Sequence, residues 1–239
     1  MKFKHVVLAT LIMLSQVACA DENSLKERME AAYPKFKVES VTKTPYEGLY
    51  EVFMGGQIIY TNEKLTFIIA EGRLVDPKTK KDITGERLEK LARIDFDKLP
   101  LDKAIKVVKG NGSRKIAVFS DVDCPFCKRL EQDELSQISD VTIYTFLYPL
   151  AQLHPNAATK SKLIWCADDR VGAWNDWVFN NQLPKSTGTC KVPLEEVGAL
   201  ARKIGVVSTP TLFFADGKRM MGAQPHKTIE AAMKAAASQ

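Results

Sequence analysis

The sequence predicts a small α+β domain, a connecting helix and a larger α/β domain, in that order. Three observations lead there. Short β-branched and aromatic segments, punctuated by Gly or Asn, fill residues 37–75. Residues 84–93, TGERLEKLAR, have a helical pattern with Leu88 and Leu91 on one face. Beyond about residue 100 strands and helices alternate, and Cys124 and Cys127 sit where a strand gives way to a helix. The expected boundaries are 21–82 for the first domain, 83–99 for the linker helix and 100–239 for the second domain.

Residues 1–20, MKFKHVVLATLIMLSQVACA, stand apart. Lys2 and Lys4 precede an apolar run from Val6 to Leu14, and Ala18-Cys19-Ala20 fits the small-x-small rule of a signal peptidase site. The run is too short for a bilayer, which needs about 20 residues. Cys19 also fits a lipoprotein reading, although Gln16 is an awkward residue three positions before it. Cleavage after Ala20 is the expectation, giving an exported, soluble, periplasmic chain that begins at Asp21. The formal charge of +5 falls to +3 without Lys2 and Lys4. That balance is too mild, and the charges too interspersed, to point to nucleic acid.

Within the first domain, SLKERMEAAY (24–33) reads as a helix with Ser24 as N-cap and Glu27 as its capping-box partner. KVESVTKT, LYEVFMGG, QIIYTN, LTFIIAEG and RLVDPKT read as strands of a hairpin meander. At about 55 residues this domain has little core of its own, so a partner surface is expected. Tyr46, Leu49, Tyr50 and Phe53 are candidates for a dimer edge. Thr84 is placed as the cap of the linking helix.

In the second domain AIKVVKG and RKIAVFSD read as strands joined by a hairpin turn at Asn111-Gly112. A helix from Pro125, the strand VTIYTFLY, a helical stretch over 155–179, a helix over 193–204, the strand TLFFAD, a turn at Asp216-Gly217, the strand KRMMG and a last helix follow.

Without Cys19 four cysteines remain: Cys124, Cys127, Cys166 and Cys190. The number is even, and the expected compartment is oxidising. The stretch FSDVDCPFCKRL (119–130) puts a CxxC just after a strand and at the start of a helix, the context of a thioredoxin-like redox motif. There the free N–H groups and positive dipole end of the first turn lower the pKa of the first thiol. Cys124 is therefore the expected nucleophile, and Cys127, one turn inward, the expected resolving thiol. Pro125 suits the first helical position, where no N–H is needed. A zinc site would need four ligands, and with only His5, His154 and His226 in the chain and no second CxxC it is disfavoured. A purely structural Cys124–Cys127 bridge would constrain too short a loop to matter. No metal or cofactor is expected.

A Cys166–Cys190 bridge would close a loop of roughly 25 residues and contribute about 3 kcal/mol on the chain-entropy model. A structural disulfide is the better reading and a second redox pair the sharper one. Thr209-Pro210, in GVVSTPTLFF, fits either a strand-start proline or a cis peptide packed against the CxxC, where its backbone would pair with an extended substrate.

VFSDVDCPFCKRL, IWCADD with the downstream Cys190, and IGVVSTPTLFF, in that order and behind a small β domain and a helix, resemble the DsbC family of periplasmic thiol:disulfide interchange proteins, relatives of DsbG. The resemblance covers nearly the whole mature chain. It implies a cystatin-like dimerisation domain, a linker helix and a thioredoxin-fold domain with a helical insertion. It also implies a V-shaped homodimer with an apolar inner surface that holds misfolded, disulfide-containing exported proteins. The implied activity is disulfide isomerisation with a chaperone-like component, and a DsbD-type membrane reductant keeps the CxxC reduced. The family's cis-proline carries over to Pro210, the preceding threonine to Thr209 and the second, structural disulfide to Cys166 and Cys190. That pair favours DsbC over DsbG. One departure stands: the family often reads Cys-Gly-Tyr-Cys, and this chain reads Cys-Pro-Phe-Cys, closer to DsbG. The alternatives carried forward are a DsbG-like protector or reductase of single cysteines and a non-catalytic holdase.

Other residues read as structural. Trp174 and Trp177 share a helix face and are expected in a core. Asp121 and Asp123 are expected as turn residues, with a secondary possibility that they raise the Cys124 pKa. His154-Pro155 reads as a helix opening, and Gly55-Gly56 as a turn between strands, not a phosphate loop.

Overall fold

The computed structural model describes residues 14–237, with side chains described from Asp21 onward. The expected signal segment lies outside the described residues except for the backbone of 14–20. Two compact units make up the chain, one ending at Leu91 and the other beginning at Ala92.

The first unit is an antiparallel meander with helices on both faces. Helix α1 (Leu14–Ala32) contains no Gly or Pro, and it runs through Ser24, which is therefore not its N-cap. Leu25 and Met29, one turn apart, are fully buried against Val38, Tyr50, Val52 and Met54. Strands β1 (Val38–Lys43), β2 (Tyr50–Met54), β3 (Gln57–Thr61) and β4 (Ile68–Ile69) follow in spatial order. Gly55 and Gly56 have φ of 58° and 75°, the geometry a two-residue hairpin turn needs to match strand twist. RLVDPKT makes no strand. Asp76 accepts from the N–H groups of Lys78 and Thr79 and turns the chain, leaving one isolated bridge between Val75 and Asp82.

Helix α2 (Ile83–Leu91) covers the other face, with Leu88 and Leu91 packed on Phe53, Ile58 and Tyr60. Asp82, not Thr84, caps it: Asp82 Oδ1 accepts from the Gly85 N–H at 2.8 Å. Thr84 is buried, accepting from the Leu74 N–H and sharing a hydrogen bond with the Tyr60 hydroxyl. Tyr50 and Phe53, expected at an edge, are core residues on opposite faces of β2. Among those candidates Tyr46 is exposed.

The second unit is a five-stranded sheet in the order β5-β7-β6-β8-β9, built from β5 (Ile105–Lys109), β6 (Arg114–Ser120), β7 (Val141–Leu147), β8 (Thr211–Phe214) and β9 (Arg219–Met221). Only β6 and β7 run parallel. The hairpin expected between β5 and β6 does not form, because β7 lies between them. Every residue of β7 is buried, so this apolar strand takes partners on both edges. The Asn111-Gly112 turn wraps around its start instead: Asp140 accepts the Asn111 N–H, and the Gly112 carbonyl accepts the Thr142 hydroxyl.

Alternation along β6 builds both faces. Ala117 and Phe119 point to a core with Val197 and Ala201 of helix α6 (Leu194–Lys203). Ile116 and Val118 point to Leu130, Leu135 and helix α7 (His226–Ala237). Helix α3 (Pro125–Arg129) follows β6 and continues through a π turn and a 3₁₀ turn to Gln137. Between β7 and α6 lie α4 (Ala157–Trp165) and α5 (Arg170–Asn180), two helices where one stretch was expected. Trp174 and Trp177 are buried in the core they share with Ile105 and Leu147.

Phe119 is wholly buried and stacks on Phe146 at 4.8 Å, with Phe213 edge-on. Phe119→Ala is expected to cost about 3–5 kcal/mol in urea unfolding followed by tryptophan fluorescence. All three tryptophans lie in this unit, so a loss below about 1 kcal/mol would contradict Phe119's place at its centre.

Candidate active site

The site forms where β6 ends. Ser120 and Asp121 are buried, and Cys124 takes an extended backbone as the N-cap of α3 with Pro125 at the first helical position. The Cys124 carbonyl accepts from the N–H groups of Cys127 and Lys128. Both cysteines are free and buried.

Their surroundings differ. The Cys124 sulfur receives a hydrogen bond from the Cys127 thiol, and the N–H groups of Cys127 and Phe126 also favour its anion. Against the opposing effect of burial, these lower its pKa to about 5. Burial pushes the Cys127 thiol far above the ordinary range, and its donation to Cys124 adds to this. The Asp121 N–H approaches the Cys127 sulfur at 3.4 Å. The arrangement therefore favours the anion at Cys124 and the protonated thiol at Cys127.

Across from them the Thr209–Pro210 peptide is cis, and the Thr209 carbonyl oxygen lies 3.6 Å from Cys124 Sγ. Thr209, Pro210, Cys124 and Cys127 are thus brought together. Cys166, at the end of α4, and Cys190 are joined in a disulfide with Cα atoms 5.6 Å apart.

Four residues expected chiefly in structural roles, Asp121, Asp123, His154 and Trp177, border the site. Asp121 does serve as a turn residue, accepting the Asp123 N–H. Its other carboxylate oxygen takes the Leu150 N–H at 2.6 Å and His154 Nδ1 at 3.0 Å. Asp123 pairs with Lys160 at 2.6 Å. The Trp177 indole N–H donates to the Val122 carbonyl at 2.7 Å, and its ring lies under the ammonium groups of Lys128 and Lys160. His154 lies in the turn before α4, where its carbonyl accepts the Ala157 N–H. The separations of 33, 37 and 55 residues carry no local sequence signal. Among the described residues no group of three or more His, Cys, Asp or Glu side chains is placed to hold a metal ion. No helix among them is long and apolar enough to cross a membrane.

Two family models match: a thioredoxin-like domain over residues 101–237 and a disulfide bond isomerase protein N-terminal domain over 16–85. A probable thiol:disulfide interchange protein DsbC from Bordetella parapertussis is 45% identical over 209 residues, 87% of this chain and 73% of that one. The chain belongs to the DsbC family. DsbC of Escherichia coli K12 is 24% identical over 96% of this chain and 94% of its own. A solved disulfide interchange protein from Neisseria gonorrhoeae is 45% identical, with a TM-score of 0.55, over 57% of this chain and 97% of that one. This DsbC-family protein is a thiol:disulfide oxidoreductase with the family's N-terminal domain and a thioredoxin-like domain.

The two sulfurs give this DsbC-family site a definite pH signature. An ordinary thiol ionises near 9, and Cys124 does so near 5 in the folded, reduced chain. Its contribution to stability is full above the unfolded value and is lost as pH falls through the folded one. Cys127 stays protonated in the folded chain across that window; unfolded, it ionises near 9 in the wild-type and variant chains alike, which lowers the stability of both only toward the window's upper end. Reduced protein is therefore expected to gain stability over its Cys124→Ser variant as pH rises from about 5 to about 9. Denaturant titrations at a series of pH values measure this, and a constant difference would refute the depressed Cys124 pKa.

Proposed function

We propose that this chain isomerises and reduces incorrect disulfides in exported proteins, with Cys124 as nucleophile and Cys127 as resolving thiol. The Cys124 thiolate attacks one sulfur of a substrate disulfide. A mixed disulfide forms, the substrate S–S bond breaks, and the departing sulfur leaves as a thiolate that takes a proton from water. A second substrate thiolate then attacks the mixed disulfide, returning Cys124 and leaving a rearranged bond with no net electron transfer. Alternatively Cys127 loses its proton and attacks Cys124 Sγ. The substrate then leaves with both sulfurs reduced, and the enzyme carries a Cys124–Cys127 disulfide. A DsbD-type membrane reductant, itself a dithiol, would return those two electrons.

The observation that carries this reading is the unequal state of the two sulfurs. A thiolate at Cys124 attacks readily, whereas a Cys127 held protonated by burial resolves slowly. The mixed disulfide then lasts long enough for substrate rearrangement. The Thr209 carbonyl beside Cys124 supports Thr209 and Pro210 as the strip on which an extended substrate lies. The Cys166–Cys190 bridge serves as a structural tether.

The N-terminal unit supports a homodimer and a holding function. Beside its buried core it leaves Tyr33, Phe36, Phe67 and Ile69 exposed, and Tyr33 and Phe36 border an apolar cavity of about 450 Å³ with Met54, Ile59 and Ile68. Substrate disulfides, like the Cys166–Cys190 bridge, persist in an oxidising compartment, in keeping with a cleaved signal before Asp21 and a periplasmic location.

Reactivation of a scrambled multi-disulfide protein tests the catalytic reading. Cys124→Ala together with Cys127→Ala should abolish rescue while suppression of aggregation persists; rescue that survives the double variant would make the protein a holdase. Sedimentation of the chain without residues 1–20 should give a dimer at micromolar concentration, and a monomer would remove the N-terminal unit's assigned role.

A further inference from the structure

Three successive residues ahead of Cys124 are each held from the segment that follows β7. The Asp121 carboxylate is held by the Leu150 N–H and by His154, the Val122 carbonyl by the Trp177 indole and the Asp123 carboxylate by Lys160. Asp121 occupies the key position. Its carbonyl accepts the Cys124 N–H at 3.1 Å, and its own N–H lies 3.4 Å from Cys127 Sγ. One residue's backbone thus fixes both cysteines, while its side chain is wholly buried and needs compensation for its charge.

Of the three holding side chains, only an imidazole changes charge in the ordinary pH range. We infer that His154 is a positioning residue for thiol–disulfide exchange: through Asp121 it fixes the backbone that holds both cysteines, and it brings a compensating positive charge to the loop that carries Cys124. The inference rests on the assignment of Cys124 as nucleophile.

The groups that face His154 are the Asp121 carboxylate at the end of β6, and Asp123 and Cys124 in the loop. Lys160 on α4 is committed to Asp123. The His154 pKa is raised, first by its hydrogen bond to Asp121 and then by the Asp121 charge, with the Cys124 thiolate and Asp123 adding to it. Such coupling is reciprocal. If the thiolate favours the imidazolium, the imidazolium favours the thiolate and offsets the repulsion that a bare Asp121 carboxylate would exert. A neutral donor in the same place would keep the hydrogen bond and lose this effect.

The test uses full-length reduced protein. Alkylation by iodoacetamide is followed from about pH 4 to pH 9, with the labelled cysteine identified by peptide mass. His154→Asn, whose amide nitrogen takes the place of Nδ1, keeps a donor to Asp121 without the charge. Its Cys124 alkylation should be about threefold slower near pH 5 and equal to wild type near pH 9. A curve that coincides with wild type, or that is lowered equally at every pH, would overturn the inference and leave His154 a structural hydrogen bond.

A second measurement does not depend on that variant folding. By NMR, the His154 imidazole should titrate at lower pH in Cys124→Ser than in the reduced wild-type protein, because a negative neighbour has been removed. An unchanged midpoint would overturn the inference. Labelling of Cys127 ahead of Cys124 would instead overturn the nucleophile assignment on which it rests.

Discussion

Keeping one sulfur ionised beside another that stays protonated requires the two to meet different surroundings within a single helical turn. The end of β6 supplies that difference. Cys124, at the cap, meets the N–H groups of Phe126 and Cys127 in the helix's first turn. Cys127, one turn on, faces Ser120 and the Asp121 backbone in the interior. The thiol that is difficult to ionise is thereby the donor that stabilises its neighbour. Each sulfur's state depends on the other, and both depend on where the chain leaves the strand.

That dependence explains the packing behind the site. The loop from Asp121 to Asp123 buries a carboxylate with no exposure, and an interior carboxylate requires donors or an opposite charge. The segment after β7 supplies both to Asp121 through Leu150 and His154, and it sets Lys160 against the neighbouring Asp123. Trp177 adds a bond to the Val122 carbonyl, and two ammonium groups lie over its ring, a contact of the cation–π type. The same segment forms α4 and α5, whose outer end the Cys166–Cys190 bridge ties to the following loop. The insertion is therefore part of what fixes the redox loop in place.

Local features of this site were legible in the sequence, and contacts across long separations were not. Cys124 and Cys127 at a strand-to-helix junction, Pro125 at the first helical position and the pairing of Cys166 with Cys190 follow from spacing, from capping chemistry and from resemblance. Apart from RLVDPKT, the strands of both units appear close to their expected positions because alternation and punctuation are local signals. Sheet order is not local. Asn111-Gly112 has the composition of a hairpin turn, yet β7 enters between the strands it separates, because a strand apolar on both faces gains more from two partners than from an edge. Tyr50 and Phe53 read as edge residues for a similar reason. Alternation shows that they point to opposite faces, but it does not show that a helix covers each one. Asp121 and His154 are single polar residues in turn-like contexts, and only the folded chain makes them a pair.

The Cys-Pro-Phe-Cys motif is best considered in the same physical terms. Proline at the first helical position donates no hydrogen bond, so the backbone donors left to the thiolate are the N–H groups of Phe126 and Cys127, beside the Cys127 thiol and Thr209. The Phe126 side chain is about half exposed, at 54%, and carries the Arg129 guanidinium over its ring at 5.2 Å. It faces outward from the site. The ionisation of Cys124 therefore depends first on the Cys127 thiol and then on the Cys127 N–H, Thr209 and the Phe126 N–H. The Pro-Phe dipeptide instead contributes an exposed apolar surface next to Cys124, with the Arg129 guanidinium over the Phe126 ring. On this view a Gly-Tyr pair and a Pro-Phe pair on the same framework differ by one first-turn N–H and by the side chain they expose. The remaining donors to the thiolate are common to both.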